Sequence, residues 1–122
     1  MTILFYSETD APEPWREALA RELPEMQFRV WPDIGPPDRL TYALVWKPPH
    51  GMLASLPALK GILSLGAGVD HLFLDPHLPK AIPIVRMLDA GYAQQMSEYA
   101  LYGVLHFQRN MGDYLAQQRS RQ

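Results

Sequence analysis

Apolar residues in this chain fall into short continuous runs set between prolines and polar turns. Thr2–Tyr6 (TILFY) is the first such run and predicts a buried strand at the start. Pro12 and Pro14 then lead into WREALARELPE, where Trp15, Ala18, Leu19 and Leu23 recur at helical spacing and Pro24 closes the element. Gln27–Trp31 (QFRVW) alternates and predicts a second strand, followed by a proline-rich loop over Pro32–Arg39. Tyr42–Trp46 (YALVW) is a third strand, stopped by Pro48 and Pro49. Met52–Leu59 holds MLASLPAL, a short helical connection interrupted at Pro57. Gly61–Leu65 (GILSL) predicts a fourth strand running directly into GAGVDH, and Ile82–Arg86 (IPIVR) a fifth with Pro83 near its start.

Strand, helix and strand joined by short connections make βαβ units and a parallel sheet. Continuous apolar strands fit a sheet covered on both faces. The expected fold class is therefore α/β: a flavodoxin-like three-layer domain with a five-stranded parallel sheet over residues 1–90. A long C-terminal helix is expected over 91–122. No proline interrupts Gly91–Arg119, where Tyr92, Met96 and Tyr99 lie on one face and Leu101, Val104, Phe107, Met111 and Leu115 on another. One helix of that length would reach on the order of 45 Å at about 1.5 Å per residue. A domain of this size has a radius of gyration of only about 14 Å. Such a helix overhangs its own domain, and its distal apolar residues call for a partner surface. The alternative is a break at Gly112, with the last turn folding back.

Composition narrows the function classes. The chain has 122 residues, 48% hydrophobic and 20% charged, as expected of an ordinary soluble globular protein. Eleven basic against thirteen acidic side chains leave a formal net charge of −2, which does not suit nucleic acid or an anionic membrane surface. The absence of cysteine excludes disulfides and thiolate metal sites. His50, His71, His77 and His106 are scattered without metal-ligand spacing, and none sits beside a serine nucleophile, so no catalytic or metal residue is assigned. No apolar run approaches a membrane span, and MTILFYSETD lacks the basic region of a signal peptide, so the cytoplasm is the expected compartment.

The candidate chemistry lies where the fourth strand ends, in LSLGAGVDHL. Ligands of open α/β sheets bind at the carboxyl ends of strands. Gly66 and Gly68 permit positive φ and a close backbone approach, and the N–H groups of Ala67, Gly68 and Val69 are candidates for an anion-binding concavity. As a dinucleotide fingerprint the loop is weak: His71 stands where G-x-G-x-x-G needs its third glycine, and three strands precede it. A carboxylate-binding turn is the better reading, against the plainer one that glycines at a tight turn serve the turn.

Leu63–Leu72 (LSLGAGVDHL), Gly91–Tyr99 (GYAQQMSEY) and Val45–Pro49 (VWKPP) together resemble the D-isomer-specific 2-hydroxyacid dehydrogenases, most closely their glyoxylate/hydroxypyruvate reductase branch. The resemblance spans essentially all of Met1–Gln122. It implies a discontinuous substrate domain into which a Rossmann domain is inserted, with the helix from Gly91 crossing between domains and helping to build a homodimer. It places the substrate carboxylate on the amides of Ala67, Gly68 and Val69, with Trp46 as an aromatic at the pocket and Lys47 beside it adding positive charge. Met96 falls where the family packs an apolar residue near the nicotinamide. Arg86, Leu88 and Asp89 lie on the segment leading into the cleft. Each has a plainer reading: Trp46 as rim packing, Lys47 as a solvated cation, Met96 as helix core, Glu98 as a structural partner. The implied chemistry is hydride transfer between NADP or NAD and a small 2-keto or 2-hydroxy acid. The family's catalytic histidine, its partner carboxylate, its arginine and its dinucleotide turn fall beyond Gln122. The chain alone is therefore expected to be inactive and to hold no cofactor tightly. The competing expectation is a stand-alone flavodoxin-like module that binds a small anion, or dimerises, without redox activity.

Overall fold

The computed structural model describes residues 1–88 and 91–121. Asp89, one of the weaker site candidates, lies outside the described residues. The chain divides into two compact units, Met1–Met87 and Leu88–Gln122.

In the first unit the elements run β1 (Thr2–Ser7), α1 (Pro12–Glu22), β2 (Gln27–Val30), β3 (Tyr42–Trp46), β4 (Gly61–Ser64), α2 (Asp70–Phe73) and β5 (Ile84–Arg86). All four strand pairings are parallel, in the order β2-β1-β3-β4-β5. This is the flavodoxin-like order expected from the sequence, with the chain reversing its direction of travel across the sheet after β2. β1 sits between two neighbours, pairing Ile3 with both Phe28 and Tyr42.

The strands are apolar at successive positions because alternate side chains enter two different cores. Ile3, Phe5 and Leu44 point to one face, where Trp15 and Leu19 of α1 pack on them. Leu4, Ala43, Val45 and Ile62 point to the other. That second face is covered by a 3₁₀ turn at Leu53–Ser55, by Leu56 and Leu59, and by Leu72 of α2. One covering layer is thus a regular helix and the other is mostly tight turns, as the prolines of Pro48–Pro57 require. On the α1 side an apolar groove of about 250 Å³ is left between α1 and β5, lined by Ile3, Trp15, Leu19, Leu63 and Val85.

Asp75 locks the turns of the second layer. It is buried, and its carboxylate accepts from the Gly51 N–H at 2.8 Å and the His77 N–H at 2.9 Å. Burial by itself raises a carboxylate pKa; here the two backbone N–H donors outweigh it, and the group sits below its ordinary 3.8.

The second unit corrects the expectation of one uninterrupted helix. It contains α3 (Tyr92–Gln108) and α4 (Met111–Ser120), which contact each other. The break falls at Arg109 and Asn110, one turn before the alternative at Gly112, and Gly112 lies inside α4. Asn110 adopts φ 48°, ψ 41°. Asparagine visits this left-handed conformation far more readily than most residues, so it ends one helix and starts the next. α3 is about 26 Å long at about 1.5 Å per residue. No side chain of α3 or α4 is buried, and Tyr99, Phe107 and Tyr114 are exposed.

Two outcomes test this core. Leu4→Ala is expected to cost about 2–5 kcal/mol in urea unfolding, because Leu4 is fully buried among side chains that cannot collapse into the void. Since the Asp75 pKa is lower folded than unfolded, its stabilisation is present above 3.8 and is lost as pH falls through the lower folded value. Acid unfolding of Asp75→Asn should therefore show a smaller loss of stability between pH 4 and pH 2 than the unchanged chain; equal slopes would refute the assignment.

Candidate functional site

Three strands deliver their carboxyl ends to one edge of the sheet: β1 ends at Ser7, β3 at Trp46 and β4 at Ser64. The segment Leu65–Val69 leaves β4 there and enters α2 at Asp70. Ala67 and Gly68 are exposed, and Val69 is half-buried.

What aims this loop is the treatment of its carbonyls. Arg86 of β5 donates from Nη1 to the Ala67 carbonyl at 3.3 Å. Ser64 donates from Oγ to the Gly68 carbonyl at 3.2 Å, and the same Oγ accepts from the Gly66 N–H at 3.4 Å. A trans peptide sets its C=O and the next N–H in opposite directions. Drawing the Ala67 and Gly68 carbonyls back onto Arg86 and Ser64 therefore turns the Gly68 and Val69 N–H groups the other way. Among the described residues none accepts from the N–H of Ala67, Gly68 or Val69. Successive N–H groups left without acceptors are the donor set of an anion site.

The two glycines behave differently from expectation. Neither adopts positive φ; that conformation belongs to Gly35 and Gly51. Gly66 is needed for closeness instead. A Cβ there would stand 2.5 Å from Cζ3 and 2.9 Å from Cη2 of Trp46, so the indole lies directly against the backbone. At Gly68 a Cβ would meet only Asp70 Oδ2, at 3.9 Å, and nothing demands glycine.

Trp46 is half-buried at the end of β3 and also meets His71 of α2, with ring centroids 4.5 Å apart and planes at 61°. Lys47, next along, has φ 49°, a left-handed backbone uncommon for lysine, and this turns the chain sharply away from the sheet. Its ammonium lies 3.8 Å from Glu8 Oε2. Both groups are about half exposed, so the pair contributes on the order of 0–1 kcal/mol. Lys47 is thus a partly neutralised cation, a weaker anion partner than its position beside Trp46 suggests. It lines an open pocket of about 500 Å³ with Tyr6, Glu8, Pro48, His50 and His71.

His71 has its Nε2 buried without a hydrogen-bond partner. Desolvation is the main cause that holds its pKa below 6.5; the nearby Lys47 charge acts in the same sense, while Asp70 and Glu8 oppose it. The surroundings thus favour the uncharged ring.

Trp46, Ala67, Gly68 and Val69 are thus brought together at one sheet edge, with Lys47 at its margin. Met96 sits on α3 in the second unit, 48% exposed, and Leu88 is exposed. Two residues that shape the loop were not singled out for it. Ser64 had a signal, being the lone hydroxyl in an otherwise apolar strand; Arg86 had been placed only near a cleft, since pairing with Ala67 depends on the β4–β5 register. Among the described residues no three His, Asp or Glu side chains group as metal ligands, and no helix is long and apolar enough to cross a membrane.

Known proteins share both this sequence and this fold. No protein-family model matches the chain. Glyoxylate/hydroxypyruvate reductase A of Serratia proteamaculans is 44% identical over 93% of the chain. A D-isomer specific 2-hydroxyacid dehydrogenase of Xanthobacter autotrophicus, solved with NADPH and MES, superposes over 99% of the chain with a TM-score of 0.81 at 36% identity. An NADPH-dependent glyoxylate/hydroxypyruvate reductase of Sinorhizobium meliloti, solved with NADP and sulfate, does so over 99% with a TM-score of 0.73 at 30% identity. The chain spans 38% of the first protein and 40% and 39% of the other two. In sequence and in fold it matches part of a D-isomer-specific 2-hydroxyacid dehydrogenase.

Gly66→Ala tests the close approach. The added methyl must displace a rigid ring, so a loss of about 1–3 kcal/mol and a red shift of tryptophan emission are expected. An unfolding midpoint and emission equal to those of the unchanged chain would show that Trp46 does not seat on Gly66.

Proposed function

We propose that this chain supplies the carboxylate-holding side of the active site of an NADP(H)-dependent 2-hydroxyacid dehydrogenase working in the cytoplasm as a 2-keto acid reductase. The supporting observation is the pair of carbonyls tied back at Ala67 and Gly68 with three adjacent N–H groups left without acceptors. Proteins similar to it in sequence and structure carry the names of glyoxylate/hydroxypyruvate reductases and D-isomer specific 2-hydroxyacid dehydrogenases.

In this reading the substrate carboxylate accepts from the Ala67, Gly68 and Val69 N–H groups, whose orientation is set before the ligand arrives. Preset donors lose little freedom on binding. Trp46 walls the site and excludes water from one side of the acid. Lys47 adds modest attraction, limited by Glu8. Glyoxylate and hydroxypyruvate, the substrates in the relatives' names, are small enough for one carboxylate to dominate their binding.

The nicotinamide supplies hydride when bound. The residues of this chain do not fit its pyrophosphate: the space beyond Gly66 is filled by the Trp46 indole, and His71 replaces the third glycine of the fingerprint. Its dinucleotide turn, the histidine acid and the arginine that orients the carbonyl belong to the rest of the enzyme. Met96 remains the candidate for packing near the nicotinamide. The 122-residue chain alone is inactive in this reading. The exposed apolar residues of α3 and α4 would form a homodimer surface.

Amide NMR tests the carboxylate reading directly. Titration of the ¹⁵N-labelled chain with glyoxylate should shift the Ala67, Gly68 and Val69 signals saturably in the millimolar range, expected for so few contacts. Removing the adjacent Asp70 charge by Asp70→Asn should tighten binding by roughly 2–5-fold, since unit charges about 4 Å apart in water interact by about 1 kcal/mol. Signals that stay put at saturating glyoxylate would sink the proposal. Sedimentation should give a dimer that Leu101→Glu with Phe107→Glu reduces to monomer; a monomeric unchanged chain would refute the dimer surface.

A further inference from the structure

One side chain, the Trp46 indole, touches both ends of the candidate anion loop. At the near end Gly66 lies so close that a Cβ would stand 2.5 Å from Cζ3. At the far end the His71 ring meets the indole at 4.5 Å between centroids, tilted by 61° into an edge contact. Between these ends, Ser64 and Arg86 restrain the Gly68 and Ala67 carbonyls. The two side-chain hydrogen bonds fix the peptide planes; the indole fixes where the loop begins and ends.

We propose that His71 is a positioning residue for the Ala67–Val69 amides, its ring edge holding the Trp46 indole against Gly66 so that the three N–H groups converge on one point. This rests on the reading of those amides as the carboxylate site.

Two further features support it. The His71 Nε2 is buried without a hydrogen-bond partner, so the residue is not placed there for its full hydrogen-bonding capacity. What the ring does make is the aromatic contact, whose preferred geometry is edge against face. Trp46 packs on the α1-side core from one side, and His71 meets it from α2. Trp46 is the last residue of β3, and the left-handed backbone of Lys47 carries the next residues away from it. The charged groups that face His71 are Asp70 on its own helix, Lys47 beyond β3 and Glu8 beyond β1, and the last two are paired with each other. Burial keeps the ring uncharged and suited to packing on indole.

The test uses the 122-residue chain with Trp15→Phe and Trp31→Phe, which leaves Trp46 as the sole indole. His71→Ala removes the ring, and His71→Phe keeps a ring edge without nitrogen. In His71→Ala, Trp46 emission should shift to the red, the Gly66–Val69 amide signals should move or broaden, and glycolate affinity should fall at least five-fold. His71→Phe should restore all three and should lack the quenching of Trp46 expected on protonation of His71 at acid pH. Far-UV circular dichroism confirms that both variants fold. Unchanged emission and amide signals in His71→Ala overturn the proposal, as does a His71→Phe variant as impaired as His71→Ala. If glycolate shifts no amide even with His71 present, the carboxylate reading fails by itself, while emission and the ligand-free amide signals still decide whether His71 positions the loop.

Discussion

A parallel sheet has no wet face, and that constraint organises the first unit. The central strands β1 and β3 must be covered on both sides, so their successive residues are apolar and feed two separate cores. Leu4 and Phe5 are both buried although their side chains point in opposite directions. Since all strands run the same way, their carboxyl ends meet at one edge, and the connections leaving that edge are free to carry polar backbone. The Gly66–Asp70 loop is the connection that leaves from β4, flanked by the ends of β3 and β5.

The loop is aimed by groups that make no claim to chemistry themselves. Ser64 and Arg86 take up carbonyls, and by the planarity of the peptide they decide the direction of N–H groups one residue on. Trp46 carries Gly66 and His71 on one ring. The peptide planes of the loop are thus tied to the register of β4 and β5. Charge plays a smaller part in this arrangement: Lys47 faces Glu8, and Asp70 stands beside Gly68.

The second unit shows a different balance. Its residues form good helix, but α3 and α4 bury no side chain, and their large apolar residues stay exposed. Asn110 turns the chain between them at φ 48°. A long amphipathic pattern therefore became two helices at Asn110, a residue that tolerates the left-handed conformation, and Gly112, the more obvious breaker, stays helical. Glycine permits a break and does not impose one.

The amino-acid sequence by itself determined the strands and their parallel arrangement, because continuous apolar runs between prolines leave few other ways to bury both faces. It also determined which loop carries the candidate site: GAGVDH follows a buried strand, and its resemblance to the dehydrogenases is matched in sequence and in fold. Tertiary structure alone decided how that loop is held. Positive φ at Gly66 and Gly68 was a reasonable expectation from glycine's freedom, yet Gly66 is there because Trp46, twenty positions earlier (66 − 46), packs on its Cα. Arg86 reaches Ala67 only through the β4–β5 register, and Lys47 is paired only because the chain leaving β1 delivers Glu8 beside it. The physical reason is common to all three. Propensity and pattern act between near neighbours in the chain, whereas the aim of an N–H group and the strength of a cation depend on atoms that only the folded sheet brings within reach.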